Sequence, residues 1–292
     1  MADLANFNAE EFFRSQFGGD EFLPVIGEIE IARTFGEAME GIIKGKGKKD
    51  IADKEAEKEE KRIKSEETDK RHLERITSLK NNLKSKLAVF TESFPYTSYG
   101  TSNTDQTEYI DLFRAIHMAE AQHLQSAPSG PQLLHTLGYV YLLKSEQYAA
   151  KLDSEDGNIG QRFLGFGKRL QSNIKEKTHI FKETVGTVRT VMEWHSSMTK
   201  LSASENAEEG KEVTDEEKKR LESDTLSKSH AALWRGIKLE IESVIREVCD
   251  EVLDKDVISR EERRRRCIAL GVIGEVYCSV PAGRQNVQSS SQ

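Results

Sequence analysis

The clearest periodicity in the chain lies between residues 73 and 94. Leu73, Ile76, Leu79, Leu83, Leu87, Phe90 and Phe94 recur at spacings of three and four, the mark of an amphipathic helix. Pro95 ends it, because proline disfavours a helical residue before it. The same period returns along the chain. Tyr109, Leu112, Phe113 and Ile116 form an expected buried face on a helix for which Thr104 is a suitable N-cap. After the turn Pro128-Ser129-Gly130, Pro131 suits a first helical position. The helix it opens is expected to bury Leu134, Leu137, Gly138, Tyr141 and Leu142, with Gly138 admitting a close neighbour. Leu170, Ile174, Phe181, Val185, Val188 and Met192 mark a further helix, and Ile237, Ile241, Val244, Ile245, Val248 and Val252 another. Cys267, Leu270, Ile273 and Tyr277 mark the last. Thr214 with Glu217, and Ser259 with Glu262, have the spacing of capping boxes. No strand-like alternation stands out, so the pattern predicts an all-α helical bundle.

The segments between these stripes set the organisation. Residues 1–47 mix phenylalanine with glycine and read as a flexible segment. A short helix is expected over Ala9 to Phe17, broken by Gly18-Gly19, with Pro24 outside any helix. Residues 48–72 form a charged helical lead-in, in which Glu55 can pair with Lys58 and Glu59 with Arg62. The bundle is then expected over 73–280, interrupted by a polar linker at 202–213 and followed by a disordered tail at 281–292. The result is a bundle with one long charged helix and flexible termini.

Composition narrows the classes. The 292 residues are 36% hydrophobic and 32% charged, polar enough that part of the chain must lie outside any core. A formal net charge of −7 argues against wholesale nucleic-acid binding, and no nucleic-acid partner is expected. Cys249, Cys267 and Cys278 are odd in number and form no C-x-x-C pair, which points to free thiols in a reducing compartment. The sequence has no basic, apolar N-terminal leader, no apolar run of the roughly 20 residues a span needs, and no peroxisomal address in Ser-Ser-Gln. A soluble, cytoplasmic protein is the expectation.

Candidate chemistry is sparse. Gly160 and Gly165 have P-loop spacing, but Phe166 stands where lysine is required, so no phosphate cradle or cofactor is expected. His117 and His123 are six apart on one helix, whereas zinc ligands on a helix are three or four apart, so no metal is expected. No nucleophile stands beside a base at recognisable spacing, and the chain does not read as an enzyme. Arg263 to Arg266, preceded by Glu261 and Glu262, read as a solvated, ion-paired helix face. Two aromatic groups remain as candidate interaction residues. Phe12, Phe13, Phe17 and Phe22 sit in a segment with little sequence of its own in which to bury them: they are either core or an exposed strip. Phe163 and Phe166, beside Lys168 and Arg169, could pack inward, dock a partner or lie in a membrane interface.

Several of these residues carry a family likeness. Glu11-Phe12-Phe13, Phe17-Gly18-Gly19-Asp20-Glu21-Phe22 and Ile26-Gly27-Glu28-Ile29 resemble the segment after the Gly/Phe linker of X-domain J-proteins, a class of DnaJ-like co-chaperones. Leu133 to Tyr139, and Leu233-Trp234-Arg235 through Ile241-Glu242-Ser243 to Val248-Cys249, are similar to later parts of that family. The likeness covers most of residues 10–280. It implies helical structure and a part in protein folding or delivery to organelles, with client polypeptides as partners and an Hsp70 reached only indirectly. The family's J domain stimulates the Hsp70 ATPase through His-Pro-Asp, and none of the seven histidines here precedes a proline. The alternative is a membrane-associated adaptor using the basic aromatic stretch near 163–182, with weak membrane contact.

Overall fold

The structure, a computed structural model, describes residues 9–34, 54–93, 103–155, 215–254 and 258–282. Its helices are α1 (Ala9–Gln16), α2 (Gly19–Ile26), α3 (Lys54–Ser93), α4 (Asn103–Leu124), α5 (Gly130–Glu155), α6 (Asp215–Val252) and α7 (Arg260–Ser279). A further helical turn covers 30–34, and no strand occurs among the described residues. By its contacts the chain divides into two units, 1–168 with 241–292, and 169–240. The first unit holds the core of the bundle. The helix expected around 170–192, the linker at 202–213, Thr214 and the tail after 282 lie outside the described residues.

α7 is the centre of this unit. Cys267, Ala269, Leu270, Val272, Ile273, Val276 and Tyr277 are all buried, and they spread over more than half of its circumference. So wide an apolar face needs several neighbours to cover it, and α3, α4 and α5 supply them. The tightest contact is with α5. A Cβ added to Gly138 would lie 2.8 Å from the Gly274 carbonyl oxygen, and one added to Gly274 would lie 2.9 Å from the Leu142 amide nitrogen. The two backbones therefore touch, and the close approach expected at Gly138 is realised with Gly274 as its counterpart. The α5 contribution is Leu133, Leu134, Leu137, Val140, Tyr141 and Leu143, and Ser145 Oγ donates to the Cys267 carbonyl at 2.7 Å.

α3 runs unbroken through the boundary expected near residue 72. Its amino-terminal part is solvated, and Arg62 bridges Glu59 at 2.5 Å and Glu66 at 2.7 Å. Further on Ile76, Leu79, Leu83, Leu87 and Phe90 are buried, as their spacing requires, whereas Leu73 is 63% exposed. α6 buries Ile241, Val244, Ile245, Val248 and Val252, the expected face. Its exit is tied to α3 by His72–Glu247 and Lys80–Glu251, and to α5 by Lys144 and Tyr148 on Asp250.

Several expectations are corrected. Pro24 lies inside α2, not outside a helix. It forfeits the bond to the Asp20 carbonyl, but the helix is short and burial of Phe22 and Ile26 on the other face outweighs that loss. α4 begins at Asn103, so Thr104 is within its first turn. Phe113 is buried as expected, but its stripe continues through His117, Ala121 and Leu124. Tyr109, Leu112 and Ile116 are exposed instead, at 37%, 62% and 46%. The arginine run is ion-paired but not solvated. Arg264 binds Asp153 at 3.1 Å, Arg265 and Arg266 bind Glu262, and Arg263 is buried. Arg260 and Arg266 donate to the carbonyls of Leu152 and Val252, the last turns of α5 and α6, where cations complement the helix dipole. Because Glu262 serves these arginines, only half of the capping box forms: Ser259 accepts from the Glu262 amide at 3.2 Å.

The α5–α7 contact makes a direct prediction. Gly138→Val should lower stability by about 3 kcal/mol, because overpacking against backbone cannot be relieved by a rotamer change. Chemical denaturation of the purified variant checks it, and a change below about 0.5 kcal/mol would show that the helices are not in contact.

Candidate interaction sites

The amino-terminal aromatic block folds as a helical hairpin, α1–α2. Its turn needs two left-handed residues, and Gly18 (φ 95°) and Gly19 (φ 60°) supply them. The spacing Phe13, Phe17, Phe22, Ile26 then places four side chains on one side, and all are at most 2% exposed. Phe13 and Phe17 meet with ring centroids 5.9 Å apart. Arg14, Asp20 and Glu21 point to solvent. Of the two readings of this block, core placement is therefore the observed one for Phe13, Phe17 and Phe22. The Phe12 side chain lies outside the described residues, as do Phe163, Phe166, Lys168 and Arg169. Each buried phenylalanine contributes about 1.5–3 kcal/mol of transfer free energy.

The hairpin is fastened to distant parts of the chain. Arg75 of α3 donates Nε and Nη2 to the Ile26 carbonyl at 2.9 and 2.7 Å, closing the exit of α2. Asn82 donates to the Pro24 carbonyl at 2.9 Å, the Gly18 amide to Pro128 at 2.8 Å, and Ser129 Oγ to the Gln16 carbonyl at 3.0 Å. Arg71 pairs with Glu30 at 2.9 Å. Between residues 23–30 and the 68–79 stretch of α3 lies an open cleft of about 590 Å³, lined by Leu23, Glu30, Arg71, His72, Arg75 and Leu79 among others.

A second constellation is polar and internal. Where α3, α4 and α7 meet, Lys86 donates to Glu120 at 2.5 Å and to the Tyr277 hydroxyl at 3.0 Å, and His117 Nδ1 lies 2.8 Å from the other Glu120 oxygen. Burial alone would raise the Glu120 carboxyl. The His117 hydrogen bond and the Lys86 charge overcome it and hold the group down at about 2. Burial, with the Glu120 charge adding to it, pushes the Tyr277 hydroxyl well above its ordinary range. This cluster locks three helices together and offers no nucleophile. Burial likewise raises the Cys267 thiol to about 12, and that of Cys249 further, so both are unreactive core groups. Among the described residues no group of three His, Cys, Asp or Glu side chains is placed to hold a metal. Among them, no helix is long and apolar enough to cross a membrane.

What the periodicity missed is the exposed strip Tyr109, Leu112 and Ile116 on α4. Its spacing was visible, but two neighbouring stripes compete on that helix. The one with His117 takes the interior, where Glu120 pairs with the imidazole Nδ1.

Comparison with known proteins places this architecture. Residues 72–291 match the family described as "X-domain of DnaJ-containing". The chain belongs to that family, one of DnaJ-like co-chaperones. An uncharacterised J domain-containing protein of Schizosaccharomyces pombe is 31% identical over 283 residues, covering 96% of this chain and 72% of the relative. DnaJ-like protein 1 of Saccharomyces cerevisiae is 30% identical over 247 residues, covering 80% and 52%. A second uncharacterised J domain-containing protein of Schizosaccharomyces pombe is 32% identical over 175 residues, covering 60% and 41%. The chain thus spans about half the length of the budding-yeast relative. No solved structure matches it.

The polar cluster predicts a defined acid response. The folded-state value of Glu120 is below its unfolded one, so its contribution is complete above about pH 4.5 and is lost as the pH falls toward 2. The shift corresponds to about 3 kcal/mol. Glu120→Gln should be less stable at pH 7 and should flatten this part of the stability-against-pH curve, measured by urea denaturation at pH 2 to 7. Parallel curves for variant and parent would contradict the assignment.

Proposed function

We propose that this chain is the client-handling part of a co-chaperone. It binds client polypeptides on apolar surface, performs no chemistry of its own, and serves cytosolic protein folding or delivery to organelles. The family match over 72–291 carries this reading. The strip Tyr109, Leu112 and Ile116 supports it with a surface, because apolar residues grouped on one exposed helix face are the usual mark of a contact site. The free state of all three cysteines fits a reducing, cytoplasmic setting. An Hsp70 is reached only indirectly, since these 292 residues contain no His-Pro-Asp.

Two measurements test this. Leu112→Ser with Ile116→Ser should weaken suppression of client aggregation while leaving helical circular dichroism unchanged, because substitutions at exposed sites cost within about 0.5 kcal/mol. Unchanged suppression would remove the strip from the reading. In single-turnover assays the chain alone should leave the ATPase of an Hsp70 unstimulated, and stimulation would overturn the indirect link. Co-sedimentation with liposomes would instead favour a membrane-associated adaptor working through Phe163, Phe166, Lys168 and Arg169.

A further inference from the structure

We propose that residues 9–34 are a displaceable strap: a self-ligand filling a groove that otherwise takes short amphipathic helices from other polypeptides. The chemistry of the ligand is read from the segment in place. Phe13, Phe17, Phe22 and Ile26 are buried, with spacings of four, five and four, while Arg14, Asp20 and Glu21 face solvent. The seat comes from residues far along the chain. Arg75 and Asn82 reach α2 from positions flanking Ile76 and Leu79 in α3, and Gly18 lies against Leu133 of α5.

Four of the fasteners address the hairpin's backbone. Arg75, Asn82 and Ser129 donate to carbonyls, and Pro128 accepts from the Gly18 amide. Arg71 reads a side chain, Glu30. The four backbone contacts do not depend on side-chain identity, so a foreign helical segment with the same aromatic spacing can satisfy them.

The connection permits exchange. Residues 35–53 join the strap to α3, and glycines stand at 41, 45 and 47. Along α3, Arg71, which holds Glu30, is seventeen residues from Lys54, about 25 Å at ~1.5 Å per residue. The joining residues can reach about 60 Å when extended. The strap can therefore leave its seat without unfolding α3. The seat residues in α3 and α5 from Arg75 onward fall within the matched family region, and the strap lies outside it. The step from the chain's own hairpin to foreign segments rests on the client-binding reading; the strap itself does not.

The test uses the full chain and a fluorescein-labelled peptide of residues 9–34, followed by anisotropy. The parent, with its groove filled, should bind the peptide poorly. Gly18→Val should bind it at least tenfold more tightly, since an added Cβ would meet Phe22 Cβ at 2.7 Å and Leu133 Cδ1 at 2.9 Å and lift the strap. A chain carrying Phe13→Ser, Phe17→Ser and Phe22→Ser should do the same, and a peptide with those three changes should bind neither. Equal binding by parent and variants would overturn the proposal. So would variants that keep their helicity yet take no peptide, or loss of cooperative melting in both variants, which would make the hairpin an inseparable part of the core. If peptide binding rises but suppression of client aggregation does not, the strap stands and the client-binding reading fails.

Discussion

Backbone contact between α5 and α7 is the constraint on which this bundle depends. With no side chain at Gly138 or Gly274, the two helices approach until carbonyl and amide groups are in van der Waals range. That approach lets the apolar part of α7 be packed against three other helices. It also fixes the register of the last turn of α7. Tyr277, about one turn beyond Gly274, meets Tyr141 with ring centroids 6.1 Å apart and presents its hydroxyl to Lys86. The polar lock among α3, α4 and α7 is thus a consequence of how closely α5 seats.

Much of this was legible from residue order. The stripes from Ile76 to Phe90, Ile241 to Val252 and Cys267 to Tyr277 are buried because each lies on a helix with one face turned inward, and spacing alone identifies such faces. Gly138 was readable as a contact point, since a glycine within a well-patterned helix costs about 1 kcal/mol and calls for a packing reason. Its counterpart Gly274 was not, because which helices meet is a property of the whole chain.

Two failures have definite causes. On α4, Phe113 faces inward as expected, yet it is His117 and not Ile116 that continues its stripe. A histidine is acceptable inside when a carboxylate waits for it, and that carboxylate is held by a lysine from another helix. The arginine run was legible as ion-paired through Glu262, but not as covered: Asp153 and the carbonyl end of α6, which also hold it, are distant in sequence. For the aromatic block, spacing could say that four side chains share a side, but not that Arg75, Asn82 and Leu133 would stand opposite them.

The covalent link between the hairpin and α3 has a thermodynamic consequence. A ligand covalently joined to its own seat is present there at an effective concentration that does not depend on the amount of protein in solution. A competitor arriving from outside must exceed that local concentration relative to its own affinity. Weak, transient matches to the groove are therefore filtered out, and only a segment that is abundant, tightly held or anchored at a second point can take the seat.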